Sequence, residues 1–86
     1  MEWHIGRHRW KSMAREQLCA CPCCGLLTLP DRGHYEICDV CGWEDDPIQD
    51  QMPDREGGAN AVSLNQARRN YVEFGTSDPA LRRHEN

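Results

Sequence analysis

Large apolar side chains are scarce in this sequence. Its 86 residues include one Phe, two Tyr and three Trp. A chain of this length forms one small domain, and such a domain buries only about 60% of the surface that its unfolded chain exposes. A hydrophobic core alone is therefore not expected to hold the fold, and metal or disulfides are expected to supply much of the stability.

Long hydrophobic runs are also missing. No segment approaches the roughly 20 apolar residues of a membrane span, and residues 1–18 show neither the apolar stretch nor the cleavage site of a signal peptide. These absences predict a cytoplasmic protein with no membrane partner. In that reducing compartment, paired cysteines bind metal more often than they bind each other.

Cysteine, by contrast, is abundant and regularly spaced. Cys21 and Cys24 form one Cys-x-x-Cys-Gly motif, and Cys38 and Cys41 form a second one thirteen residues later. Each motif is typical of a tight turn in which backbone N–H groups point at the first sulfur and the glycine accepts an unusual backbone conformation. Two such turns bring four thiolates to tetrahedral distance. We predict one structural zinc ion bound by these four cysteines.

Other chemistry of the cysteines stays open. Iron fits the same tetrathiolate spacing as zinc. The Cys-Pro-Cys-Cys stretch is also similar to the motif of thiol oxidoreductases, but that motif precedes a helix in a βαβ unit, whereas Gly25 and a hairpin are expected here. Cys19 and Cys23 are left over: they are either bystanders or thiols that exchange into the metal site or oxidise.

The remaining sequence predicts a hairpin, a loop and a helix. Residues 26–29 and 34–37 have strand character and flank the turn signal Pro-Asp-Arg-Gly. Residues 44–62 are predicted to form a long polar loop, because Pro47 and Pro53 interrupt regular structure. Residues 63–75 predict an amphipathic helix that Ser63, Gln66 and Gly75 delimit. Its apolar stripe consists of Leu64, Ala67, Tyr71 and Phe74.

Trp43 and the acidic residues after it have three interpretations. In the structural one, Trp43 covers the metal site against the helix stripe, the acids bind backbone N–H groups, and Asn60 braces the loop. In the second, the acids form a site for a hard cation or for hydrolysis. In the third, they form a face that docks a basic partner. The acidic residues are Glu44, Asp45, Asp46, Asp50 and Asp54.

Charge is divided unevenly along the chain. Residues 43–58 carry a net charge of −5, within a total of −4, whereas residues 1–18 carry +2. The acidic majority favours a basic protein partner over nucleic acid. A nucleic-acid-binding zinc ribbon remains the alternative, with Trp3 and Trp10 as stacking surfaces. Its basic arm would consist of Arg7, Arg9, Lys11 and Arg15.

Three stretches resemble the bacterial cysteine-rich CPCC family. They read CPCCGLLTLP, YEICDVCGWEDD and GGANAVSLNQARRNYVEFG, and they cover most of residues 21–75. The resemblance implies that the paired cysteines, the Trp-Glu-Asp-Asp stretch and the Gly-Gly-Ala-Asn stretch occupy the positions these motifs have in the family. It implies a zinc-ribbon-like fold and no particular activity.

Together these features predict a small α+β metal-stabilised domain. We expect a rubredoxin-knuckle zinc ribbon, built on a β-hairpin, with one C-terminal amphipathic helix. Residues 1–18 are predicted to be a basic arm or short helix, residues 19–75 the cysteine-rich domain, and residues 76–86 a polar tail. The expected function is that of a non-enzymatic zinc-binding protein-interaction module, such as an antitoxin-like, immunity-like or accessory factor. A thiol redox protein is the second alternative.

Overall fold

The computed structural model describes residues 17–81 of the chain. These residues contain strands β1 (Cys19–Ala20) and β2 (Leu27–Leu29), followed by helices α1 (Pro47–Gln51) and α2 (Leu64–Phe74). Neither helix is long and apolar enough to cross a membrane. The residues of the predicted basic arm lie outside the described part of the chain: Arg7, Arg9, Lys11 and Arg15.

Strands β1 and β2 form an antiparallel hairpin around the first cysteine turn, residues 21–25. Cys19 lies opposite Leu29 and Ala20 lies opposite Leu27, with an irregularity between the two pairs. The N–H of Cys21 donates to the carbonyl of Leu26 at 2.8 Å. A β-hairpin is therefore present, but its reversal is the first Cys-x-x-Cys-Gly motif and not the predicted turn at residues 30–33.

The partner expected for the strand at residues 26–29 was wrong. Residues 34–37 do not return along it; instead Ile37 forms a bridge with Glu44 across the second cysteine turn, residues 38–42. The N–H of Cys38 donates to the carbonyl of Trp43 at 2.9 Å in the same pairing. Each cysteine turn thus pairs its own flanks, because closing such a short loop costs less chain entropy than pairing the two motifs with each other.

Helix α1 interrupts the segment that was predicted to be a loop. Asp46 is its N-cap, and its side chain accepts hydrogen bonds from the N–H groups of Ile48 and Gln49. Pro47 lies in the first turn, where the missing N–H has no helical partner to lose. The proline that suggested a break in regular structure in fact starts a helix.

Helix α2 follows the sequence prediction closely. Ser63 caps its N-terminus through a hydrogen bond from the N–H of Gln66 at 3.1 Å, and Gly75 ends it with a left-handed φ of 77°. The buried face differs from the predicted stripe at its end, because Asn70 is buried while Phe74 is 41% exposed. The last turn of the helix extends beyond the core. An apolar residue that continues the stripe there, such as Phe74, is therefore not buried.

The buried core is small and contains much sulfur. Its apolar members other than cysteine are Leu29, Trp43, Leu64 and Ala67, and they pack in one cluster with the buried cysteines. Trp43 is fully buried, as the structural interpretation predicted. Its Nε1 atom has no hydrogen-bond partner within the described residues. The core therefore consists of a few apolar side chains packed against the cysteine cluster.

Candidate metal centre

The two cysteine turns bring four thiols together. The Sγ atoms of Cys21, Cys24, Cys38 and Cys41 all lie within 4.8 Å of one another. The glycines that follow the second cysteine of each turn adopt the positive φ values that such a turn requires, 83° at Gly25 and 85° at Gly42. The structure thus assembles the four residues that the spacing singled out.

The sulfur separations fit a tetrahedral metal ion. Cys21 Sγ lies 3.6 Å from Cys41 Sγ, and Cys24 Sγ lies 3.8 Å from Cys38 Sγ. Zn–S bonds of about 2.3 Å in a regular tetrahedron place the sulfurs roughly 3.8 Å apart. A disulfide would need about 2.05 Å, and all six cysteines are free. The four thiols are positioned to bind one metal ion.

The second cysteine turn is also fastened to the chain after helix α2. The carbonyl of Cys41 accepts hydrogen bonds from the N–H of Ser77 at 2.7 Å and from Thr76 Oγ1 at 3.2 Å. Asn70 on helix α2 donates to the carbonyl of Ser77 at 2.8 Å. The helix end and the second cysteine turn are therefore held in one hydrogen-bonded unit.

Crowding of the thiols makes them hard to ionise without a cation. The pKa of Cys21 is raised above its ordinary value of 9.0 by its hydrogen bond with Cys41 and by burial. Burial raises the pKa of Cys24 to about 11. The hydrogen bond with Cys21 lowers the pKa of Cys41, but the thiol of Cys23 and burial raise it by more. At neutral pH these three thiols therefore hold their protons in the metal-free protein.

Metal affinity is expected to rise steeply with pH between 6 and 8. Three ligands have pKa values above 9.0, so an incoming cation must displace their protons. Each displaced proton multiplies the affinity about tenfold per pH unit, roughly a thousandfold for three protons. Competition with a chelator of known pH dependence measures this slope, and a pH-indicator dye counts the protons released. Equal affinities at pH 6 and pH 8 would contradict thiolate ligation.

Asp45 and Asp46, which follow Trp43 and Glu44, stabilise the polar segment of residues 44–62 and the turn before it through hydrogen bonds. Asp45, which is fully buried, accepts from Arg32 Nε at 2.8 Å and from the N–H of Gly33 at 2.7 Å. Asp46 accepts from the N–H of Ala59 at 2.9 Å, and this hydrogen bond helps to hold its pKa below the ordinary value of 3.8. Both carboxylates bind backbone N–H groups, as the structural interpretation proposed.

Gln49 is a structural residue that sequence reasoning missed. It is fully buried, and its Nε2 donates to the carbonyls of Arg55, Asn60 and Val62 at 2.9 to 3.2 Å. Asn60 donates from its side chain to Gln49 Oε1 at 2.9 Å and to the carbonyl of Glu44 at 2.8 Å. A glutamine inside a polar segment does not indicate burial from the sequence. Its hydrogen-bond partners lie up to thirteen residues away, so no local motif marks it.

The two remaining cysteines lie close to the site without completing it. Cys23 is 8% exposed and packs in the core cluster, while Cys19 is half-buried on strand β1. Neither belongs to the group of four thiols that can share an ion. Gly25 follows the first turn and no helix begins there, so the helix N-terminus that activates redox cysteines is missing from this motif.

Comparison with known families agrees with this geometry. The family described as Cysteine-rich CPCC matches residues 19–86, most of the chain and all four clustered cysteines. The chain belongs to the cysteine-rich CPCC family. No curated protein matches this CPCC protein. The family match establishes the kind of domain.

Proposed function

We propose that this CPCC protein is a non-enzymatic zinc protein whose folded surface binds a basic region of another protein. Zinc is the proposed ion because tetrahedral thiolate sets suit it well. Four thiols fill the coordination sphere of a tetrahedral ion and leave no position for water. Such an ion holds the fold and does not activate a substrate, and this observation carries the non-enzymatic part of the proposal.

Charge supports a basic partner. Residues 17–81 contain eleven Asp and Glu against four Arg and no Lys, a net charge of −7, and the rest of the chain carries +3, which gives −4 for the whole chain. Four thiolates around one divalent zinc ion add roughly two more negative charges. This field repels the phosphates of nucleic acid and attracts a positively charged protein surface. The nucleic-acid alternative depends on the basic arm, which lies outside the described residues.

A cleft beside the second cysteine turn is the proposed docking surface. Its volume is about 310 Å³, and Ile37, Glu44 and Leu81 contribute to its lining. Ile37 and Glu44 oppose each other as a bridge between hydrogen-bonded neighbours, so their side chains lie close on one face. An apolar floor with a carboxylate fits the aliphatic stem and cationic head of Lys or Arg.

Glu44 is the member of the predicted acidic face that suits this role best. Asp45 and Asp46 are buried and therefore unavailable to a partner. Asp50 pairs with Arg32 at 3.1 Å, and Asp54 accepts from Asn65 Nδ2 at 2.9 Å. Within residues 17–81 no hydrogen bond or ion pair engages the carboxylate of Glu44. A docking role for Asp50 and Asp54 stays a prediction.

Ile37→Lys is expected to abolish partner binding and leave the fold intact. Ile37 is 62% exposed, so a lysine there costs little stability but repels a basic partner and covers the cleft. The measurement is quantitative mass spectrometry of proteins recovered with the tagged chain from its native host, wild type against variant. We expect at least a tenfold loss of one protein that has a basic surface.

Val72→Lys is the matched control for Ile37→Lys. Val72 is 87% exposed on helix α2 and makes no part of the cleft, so its replacement adds the same charge elsewhere. Equal loss in both variants would refute this docking surface. Recovery that nuclease treatment removes would instead support the nucleic-acid alternative.

A further inference from the structure

We propose that Thr28 is a positioning residue of the metal centre. Its hydroxyl donates to Cys38 Sγ across 3.0 Å, in a partly buried setting. A hydrogen bond to a ligating thiolate fixes the direction of the sulfur and withdraws electron density from it. The inference rests on the metal-binding part of the proposed function and does not depend on the partner.

The hydrogen bond of Thr28 joins two different parts of the metal site. Thr28 lies on strand β2, which closes the first cysteine turn, whereas Cys38 begins the second. The hydroxyl therefore links the two halves of the site through a side chain. A link of this kind holds the second turn near its final place and reduces the ordering that metal binding must supply.

Thr28 also makes the four sulfurs unequal. Cys38 Sγ accepts two further hydrogen bonds, from the N–H groups of Val40 and Cys41 at 3.4 Å each. Three donors surround this one sulfur, and a thiolate with more donors is a weaker electron donor to its metal. Cys38 is therefore the least electron-rich ligand of the centre, and Thr28 supplies its shortest hydrogen bond.

Thr28→Val is the direct test, because it removes the hydroxyl and keeps the volume. We expect the affinity for Zn²⁺ to fall about tenfold, as losses of hydrogen bonds to metal ligands commonly do. With Co²⁺ as a spectroscopic probe, the sulfur-to-cobalt charge-transfer band should move to lower energy, since a more electron-rich thiolate gives up charge more easily. Thr28→Ser, which restores the hydroxyl, should return both the affinity and the band to wild type.

Thr76→Val separates a direct effect on sulfur from a general loss of stability. The hydroxyl of Thr76 donates to the backbone carbonyl of Cys41 at 3.2 Å and to no sulfur. This variant should leave the charge-transfer band in place even if it melts earlier. If Thr28→Val does not fold with Co²⁺ but Thr28→Ser does, the need for the hydroxyl is still shown.

Two results would overturn the proposal. One is a cobalt-loaded Thr28→Val protein whose band matches that of the wild type. The other is a Thr28→Ser protein that behaves like Thr28→Val. A wild-type chain that gives no thiolate band with Co²⁺ would instead refute metal binding, and with it both the proposed function and the role of Thr28.

Discussion

Removal of the metal ion is expected to unfold the domain. Only Leu29, Trp43, Leu64 and Ala67 are buried apolar residues besides cysteine, so the described domain has little other hydrophobic stabilisation. Binding of structural zinc supplies on the order of 10 kcal/mol, which is as large as the whole stability of many domains. Without the cation, the four thiols add only weak contacts in place of metal bonds.

Amide NMR and thermal melting test this expectation. Chelator should collapse the dispersed amide spectrum and abolish the cooperative melting transition, and added Zn²⁺ should restore both. Cys38→Ser should behave like the chelated protein, whereas Cys19→Ser should stay close to wild type, because Cys19 lies outside the group of four thiols. A metal-free chain that still melts cooperatively at the original temperature would overturn this account.

Gly58→Ala is expected to destabilise the folded domain strongly, although it adds only one methyl group. A Cβ atom at this position would lie 2.6 Å from Asp46 Oδ2 and 2.8 Å from Gln49 Cδ, closer than real Cβ atoms come. Both side chains are buried and hydrogen-bonded, so neither can move without leaving polar groups unsatisfied. We expect a loss of about 3 kcal/mol or more in the free energy of unfolding.

Gly57→Ala provides the control for Gly58→Ala. A Cβ at Gly57 meets nothing within 4 Å, although its φ of +77° disfavours a side chain. Gly57→Ala should therefore lower the free energy of unfolding by only about 1 kcal/mol. Chemical denaturation of both metal-loaded variants gives the comparison. Equal losses would contradict the expectation, because they would show that the contact with Asp46 and Gln49 costs no more than the positive φ at Gly57.

The pKa of Asp46 offers a second measurement for Gly58→Ala. In the wild type this pKa is below 3.8, so Asp46 contributes stability at higher pH that is lost as the pH falls through its folded value. If the new Cβ pushes the carboxylate away from Ala59, its pKa should return toward 3.8 in a titration followed by NMR.

The sequence predicted features whose causes lie within a few residues. The metal ligands follow from two local turns, and helix α2 follows from Ser63 at one end and Gly75 at the other. The pairing of Ile37 with Glu44 was missed because strand character does not specify a partner. Helix α1 was missed because proline suits a first helical turn as well as a break. Gln49 and Thr28 make hydrogen bonds to residues six to thirteen positions away, which no local pattern encodes.

The hydrogen bonds that join Cys41 to Ser77 would connect a bound ion to the helix end. Such a connection works in both directions, because linked equilibria are reciprocal. A partner that binds the metal-loaded form of this segment more tightly than the metal-free form would raise the affinity for the ion. The ion would then raise the affinity for that partner by the same factor, so metal supply would set how much of the complex forms.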